Sequence, residues 1–288
     1  MKYAAPTTVE EAQALLADAA GAAVFAGATD LVPQMRAGRP EPSVAVDLKK
    51  IDRLMALSQS GHTWTIGAAV PTAELTRNEA FVADFPGLSH AAGLIGSDQI
   101  QNRASLGGNL CNGSPAADSV PALVVNQARA VIVGSHGTRT VPVDEVVTGP
   151  GTTSLAPGEF VVEFQIDQPA ENTADAYLRI TPRTEMDIAI VGAAARITMD
   201  NADNCTAACI ALGAVAPTVV RVSEAEAALV GGPITDQSLA AVAAAATAAC
   251  NPIDDKRGTI VYRRQVAGVL ARRVVARAAD QAANRGAP

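Results

Sequence analysis

Residues Ser97–Ala122 read SDQIQNRASLGGNLCNGSPAADSVPA, and the rest of the chain is organised around them. Between Ile100 and Val120 the only large apolar residues are Leu106 and Leu110, so the stretch supplies little core of its own. Gly107 and Gly108 are adjacent, and Asn109, Asn112, Gly113 and Ser114 follow closely. These residue types favour positive φ or bond their own backbone. A long loop of that composition inside a compact chain is usually functional. Consecutive glycines let backbone amides converge on one point, an arrangement that binds anions and especially phosphate. The plain structural alternative is a surface Ω-loop.

An earlier stretch, Phe25-Ala26-Gly27-Ala28-Thr29-Asp30-Leu31, follows the same logic: an apolar lead-in, a glycine, then small and polar residues opening a helix. Free N–H groups at a helix start also cradle phosphate. Two such loops about eighty residues apart suit a ligand with two phosphates better than one with a single phosphate. No G-x-G-x-x-G follows a strand and there is no Walker A sequence, so neither a Rossmann site nor a P-loop is supported.

Composition narrows the classes. A chain of 288 residues is long enough for two domains and a well-buried core. With 49% hydrophobic and 18% charged residues it is an ordinary globular chain, but at 3% aromatics few rings are available to stack on a ligand. A net charge of −7 with no basic stripe argues against nucleic acid. The start, MKYAAPTTVEEA, has no apolar run after its lysine and does not read as a signal peptide. The most apolar long window, Leu239–Cys250, is only twelve residues and too short to span a bilayer. The expected location is the cytoplasm, without membrane insertion. Cys205 and Cys209 are spaced C-x3-C with no further ligand nearby, and Cys111 and Cys250 lie apart. His62, His90 and His136 are scattered, so no metal site is expected.

In chain order, Thr8-Val9-Glu10-Glu11 reads as a capping box. Val9, Ala12, Leu15, Leu16 and Ala19 then predict an amphipathic helix over 9–20, ended by Gly21. A short strand over 22–26, a helical turn over 30–37 and a strand over 44–48 form a β–loop–helix–β unit. A strand is expected at 62–67 and helices at 72–80, 87–94 and 115–126. Strands at 130–133 and 138–143 flank the hairpin signal Gly134-Ser135-His136-Gly137. A strand at 160–166 precedes the polar break 168–172, the best candidate domain boundary. Beyond it, 188–197 and 205–215 read as paired strands, and 224–229 and 238–250 as helices. From Tyr262 a helix carries Val266, Val269, Leu270, Val274 and Ala278 on one face, with Arg263, Arg264, Arg272, Arg273 and Arg277 mainly on the solvated side. Irregular alternation with hairpins favours α+β over a doubly wound sheet.

FAGATDL is similar to an AGGTDL-type loop, and RASLGGNLCNGSPAADSVPAL resembles the R-x-T-[IL]-GGN-x-x-x-x-SPAAD segment of the flavin subunit of the molybdenum hydroxylases, the xanthine dehydrogenase and carbon monoxide dehydrogenase family. Tyr3-Ala4-Ala5-Pro6-Thr7-Thr8, Thr148-Gly149-Pro150-Gly151, Met186-Asp187-Ile188-Ala189, Arg257-Gly258 and Tyr262-Arg263-Arg264 match in the same order, so the likeness covers the whole chain.

The resemblance implies a two-lobed, non-Rossmann, PCMH-type FAD-binding domain over 1–170, with lobes of about 1–57 and 58–170. A smaller α+β domain over 171–288 would follow it. Carried over by position, Ala26, Gly27, Ala28, Thr29, Asp30 and Leu31 would wrap the diphosphate and adjoining sugar. Ala104, Ser105, Gly108, Asn109, Cys111 and Asn112 belong to the second loop, with Ser105, Gly108 and Asn109 completing the cradle. Asp118 would hold a sugar hydroxyl, with a helix-start carboxylate as its structural alternative. Val161 and Arg179 match positions close to the flavin ring, and Ile95 and Ile100 apolar positions beside the cofactor; for Arg179 the alternative is an exposed strand charge. Ala28 stands where the family often has a second glycine, and its methyl is tolerable if φ is negative. No side chain is expected to act as acid or nucleophile, because the cofactor carries the electrons.

The implied function is electron transfer. FAD on this chain would collect electrons from [2Fe-2S] clusters on a small partner subunit, fed by a molybdenum cofactor on a large partner subunit, and pass them to NAD, oxygen or another acceptor. The assembly implied is a dimer of heterotrimers. Two other readings stay open: a stand-alone FAD-dependent reductase of the same superfamily, and a non-catalytic nucleotide-binding module.

Overall fold

The computed structural model describes residues 1–285, whose α+β fold is built on three main sheets. The first is small and parallel, with Lys2–Ala4 and Ala23–Phe25 on either side of Val44–Asp47. The helix Val9–Asp18 links two of these strands and buries Val9 and Ala12. Thr8 caps it, its hydroxyl accepting from the Glu11 N–H at 3.1 Å. Only half of the expected capping box forms. The Glu11 carboxylate reaches one residue further back and accepts from the N–H and hydroxyl of Thr7, at 2.7 and 3.1 Å, instead of the Thr8 amide.

The second sheet is antiparallel, in the order Leu57–Ser60, Thr63–Gly67, Phe160–Asp167, Arg129–Gly134, Gly137–Pro142. Gly134 pairs with Gly137, so the expected hairpin turns through Ser135 and His136. Trp64, Phe81, Phe85 and Phe164 are all buried in the core between this sheet and the helices Glu79–Asp84 and Pro86–Gly93. Trp64 meets Phe81 edge-on with centroids 5.3 Å apart, a favoured aromatic geometry. The scarce aromatic rings are thus largely spent on the core.

The third sheet is antiparallel, in the order Thr173–Ile180, Val191–Met199, Asn204–Gly213, Val220–Arg221. Thr173–Ile180 carries no clean alternation because both of its faces are covered: Tyr177 belongs to the core shared with the second sheet, and Ala174 and Ala176 to the core under the C-terminal helix. Asp175 on this strand is buried and ties the halves together. Its carboxylate accepts from the N–H groups of Gly87 at 2.9 Å and Leu88 at 2.8 Å, and from Asn126 Nδ2 at 2.7 Å. Gly87 lies so close that a Cβ there would fall 2.6 Å from Ala176 N.

The C-terminal helix, Ile260–Arg285, buries Ala267, Leu270, Ala271, Val274, Val275, Ala278 and Ala282. Two sequence expectations are corrected here. Val269 is 43% exposed rather than on the apolar stripe, and Arg263 is only 4% exposed. Arg263 donates to the Ile190 carbonyl at 2.5 Å and to Asp255 Oδ1 at 2.7 Å, which satisfies its charge inside the fold. The helix expected over 115–126 is confined to Ser119–Val125, since residues 115–118 form a turn. The strand expected from 188 begins at Val191, after Met186 takes φ +52. Among the described residues no helix is long and apolar enough to cross a membrane.

Candidate cofactor site

The strand Ala23–Phe25 runs into the first small-residue loop, which opens the short helix Leu31–Arg36. Facing it is the helix Leu106–Cys111, capped by Ser105, whose Oγ accepts from the Gly108 N–H at 3.1 Å. Between them lies a cleft of about 180 Å³. The structure brings Ala26, Gly27, Ala28, Thr29, Asp30, Leu31, Ile95, Ala104, Ser105, Gly108, Asn109, Cys111 and Asn112 to its walls. Burial pushes the Cys111 thiol up to about 12, so it lines the cleft as a small neutral group.

The glycines act differently from the sequence expectation. Gly107 and Gly108 are helical with ordinary φ, not left-handed turn residues. A Cβ on Gly107 would fall 2.5 Å from the Ala68 carbonyl oxygen, so this glycine allows backbone packing. A Cβ on Gly108 would meet only Ser105 Oγ, at 3.4 Å, because that side faces the cleft. Gly27 seats one loop against the other, since a Cβ there would fall 2.2 Å from the Arg103 carbonyl oxygen. Ala28 has φ +58, so the condition under which its methyl would be tolerated freely, a negative φ, is not met. The methyl is carried in the left-handed region at a cost.

Polar groups point the same way. Among the described residues the N–H groups of Gly27, Ala28, Thr29, Asp30 and Leu31 find no acceptor in the chain. Asn109 Oδ1 accepts from Ser119 N at 3.2 Å and Ser119 Oγ at 2.6 Å. That orientation leaves the Asn109 Nδ2 hydrogens over, on a residue lining the cleft. An amide-rich cradle with a bare glycine face is what a diphosphate requires.

Four expected residues lie outside the walls of this cleft. Ile100 packs on Gly96, where a Cβ would fall 2.6 Å from Ile100 Cγ2. Val161 is 3% exposed on Phe160–Asp167, opposite Ile132, within the core beneath the second loop. Asp118 and Arg179 form a buried ion pair at 2.5 Å, and Asp118 Oδ1 also accepts from the Tyr177 hydroxyl at 2.8 Å. Burial pushes the Asp118 carboxyl up to about 6, with Arg179 and Tyr177 pulling it back. Asp118 directly precedes Ser119, which holds Asn109, so the pair supports the second loop from behind.

Sequence reasoning missed Gln34, Arg39 and Tyr177. Gln34 lies one helical turn after Asp30, and Tyr177 two residues before Arg179 on the same strand face; those spacings were their only signals. A second cleft, of about 240 Å³, is lined in part by Ser114 and Pro115, just after Asn112 of the first in sequence. Pro150, Ile188, Pro217, Pro252 and Ile253 form its apolar walls, with Arg257 at its edge.

Two small-residue loops with unpaired amides lining one cleft of an α+β fold, without a Rossmann turn, are the features of a nucleotide-binding protein of the non-Rossmann type. Residues 1–169 match the family described as the FAD-binding domain in molybdopterin dehydrogenase, and residues 176–278 the CO dehydrogenase flavoprotein C-terminal domain. The chain belongs to this family of FAD-binding subunits of molybdenum hydroxylases. It is 32% identical to the 6-hydroxypseudooxynicotine dehydrogenase complex subunit alpha of Paenarthrobacter nicotinovorans, over 97% of this chain and 95% of that one. It is 33% identical to the carbon monoxide dehydrogenase medium chain of Hydrogenophaga pseudoflava, over 95% of each. A chain of the solved carbon monoxide dehydrogenase from Hydrogenophaga pseudoflava, in a form lacking the Mo-pyranopterin moiety, superposes with a TM-score of 0.93 at 33% identity, covering 98% of both. The free amides, the bare face of Gly108 and the small side chains around it fit the FAD diphosphate. Pockets that bury a whole drug-sized ligand run to about 300–1,000 Å³, so the first cleft has room for only part of an FAD.

Proposed function

We propose that the chain is the electron-transfer subunit of a molybdenum hydroxylase complex, receiving electrons from iron–sulfur clusters of a partner subunit and delivering them to NAD or another acceptor. The observation that carries this reading is the pair of small-residue loops lining one cleft, in which the N–H groups of residues 27–31 have no acceptor in the chain and Gly108 presents no side chain. FAD, when bound, supplies the two-electron chemistry that no side chain here offers. The chain's own part is placement. Residues 26–31 donate N–H groups to the diphosphate, and Ser105, Gly108 and Asn109 close the cradle. Ile95 and Cys111 give apolar walls, and the Asp118–Arg179 pair with Ile100 and Val161 holds the second loop in register.

The FAD-binding unit in this reading is 1–170, with lobes of about 1–57 and 58–170, and 171–288 forms the second domain. The proline-lined second cleft takes its lining from Ser114 and Pro115, two and three residues after Asn112 of the first, and this nearness in the chain supports it as the acceptor's side of the cofactor in this reading. A molybdenum-bearing large subunit and an iron–sulfur small subunit complete the unit, as a dimer of heterotrimers in the cytoplasm. The substrate follows the molybdenum subunit: the two relatives named above act on substrates as unlike as 6-hydroxypseudooxynicotine and carbon monoxide.

The test is anaerobic addition of reductant to the assembled complex and to the chain alone. Flavin bleaching by the complex's substrate only when the partners are present is the expected result. Turnover of a small-molecule substrate by the isolated yellow chain would instead establish a stand-alone reductase.

A further inference from the structure

We propose that Gln34 and Arg39 form a side-chain clasp across the mouth of the first cleft, setting how tightly and how long the cofactor's diphosphate is held; this rests on the FAD reading above. Gln34 Nε2 donates to Asn112 Oδ1 at 2.9 Å, joining the helix after the first loop to the end of the helix in the second. It is a direct side-chain bridge between two loops otherwise apart in sequence. Arg39 follows Gly38, whose φ of +101 turns the chain back. Its N–H donates to the Gln34 carbonyl at 3.0 Å, and its guanidinium Nη1 donates to Gln34 Oε1. Both ends of the Gln34 amide are therefore engaged. A guanidinium on the amide oxygen polarises the group and strengthens its donation to Asn112.

Charge gives the clasp its second role. Gln34 and Arg39 both line the cleft, and among its lining residues Arg39 is the only cation and Asp30 the only carboxylate. The loop amides contribute dipoles but no net charge, whereas a diphosphate brings two negative charges. Arg39 offsets Asp30 and leaves the amides to act on the ligand. Because Arg39 is exposed at the rim, its effect is a screened one, weakened by salt. A purely structural role for the arginine would not show that dependence.

The experiment uses the full chain stripped of flavin, as wild type, Arg39→Ala, Arg39→Lys and Gln34→Ala. FAD affinity and release are followed by flavin fluorescence at low and high salt, with apo-protein melting to confirm folding. Arg39→Ala is expected to release FAD about two- to fivefold faster, the scale of one screened surface charge, and to lose most of the salt dependence. Arg39→Lys should keep the salt dependence, and Gln34→Ala should speed release while keeping it. A folded Arg39→Ala chain with wild-type release and wild-type salt dependence overturns the clasp and leaves the FAD reading standing. A folded wild-type chain that takes up no FAD overturns both.

Discussion

Replacing Gly108 by alanine separates folding from cofactor binding, because the two should move in opposite directions. Gly108 is in the first turn of the helix Leu106–Cys111, and an added Cβ meets only Ser105 Oγ, at 3.4 Å. Alanine in a helix is favoured over glycine by up to about 0.8–1 kcal/mol, so the apo-protein should hold or gain about 2 °C in melting temperature. The same methyl projects into the cleft where the diphosphate would lie. Pushing a phosphate off one charge-assisted hydrogen bond costs about 1.5–3 kcal/mol, roughly a 10- to 150-fold rise in Kd. The assay is calorimetric or fluorescence titration of apo-protein with FAD, beside melting of the same samples. Gly107→Ala is the control: its methyl would meet the Ala68 carbonyl oxygen at 2.5 Å and Ala68 Cβ at 2.8 Å, so it should lose about 1–3 kcal/mol of stability. A well-folded Gly108→Ala chain that binds FAD like wild type would refute the placement of the diphosphate against this glycine.

Ala28→Gly should raise the urea midpoint by the equivalent of about 0.5–1 kcal/mol, because it removes a methyl held at φ +58; an unchanged or lower midpoint would contradict the left-handed backbone. Arg179→Met leaves the buried Asp118 carboxylate without its ion partner and should cost about 3–5 kcal/mol, whereas Asp118→Leu combined with Arg179→Met should recover much of the loss in urea unfolding. Lys49 is half-buried with Nζ donating to the Ala69 carbonyl at 2.8 Å, and burial lowers its ammonium to about 8. The unfolded chain then binds more protons than the native one between pH 8 and the ordinary lysine value, so this contribution to stability should rise with pH across that window. Urea midpoints at either end of it, compared with those of Lys49→Met, read the difference; a wild-type stability that falls relative to the variant would reverse the assignment.

Local signals in the sequence reported what local physics decides. The hairpin at Gly134–Gly137, the Thr8 cap and the parallel unit around the first loop all follow from turn chemistry and periodicity. The α+β class follows from them. What was illegible depends on burial from two sides. Thr173–Ile180 shows no alternation because helices cover one face and the second sheet's core the other. Arg263 looks like surface charge until the Ile190 carbonyl and Asp255 converge on it.

The composition of the glycine loop points to a binding role, and the structure gives its two glycines different physical reasons. Composition suggested left-handed turns, whereas Gly107 is needed for contact with Ala68 and Gly108 for an open face. Only the fold shows which of two adjacent glycines does which. The partners of Asp118 were equally hidden, because Tyr177 and Arg179 reach it from fifty-nine and sixty-one residues away.

The most direct measurement is the absorption spectrum of the purified chain, with the released cofactor identified by mass and its amount set against protein. The expected result is a flavin spectrum with FAD near one per chain, retained or readily taken up by the apo-protein, and no iron. A well-folded chain that neither carries FAD nor accepts it on reconstitution would contradict the account at its centre.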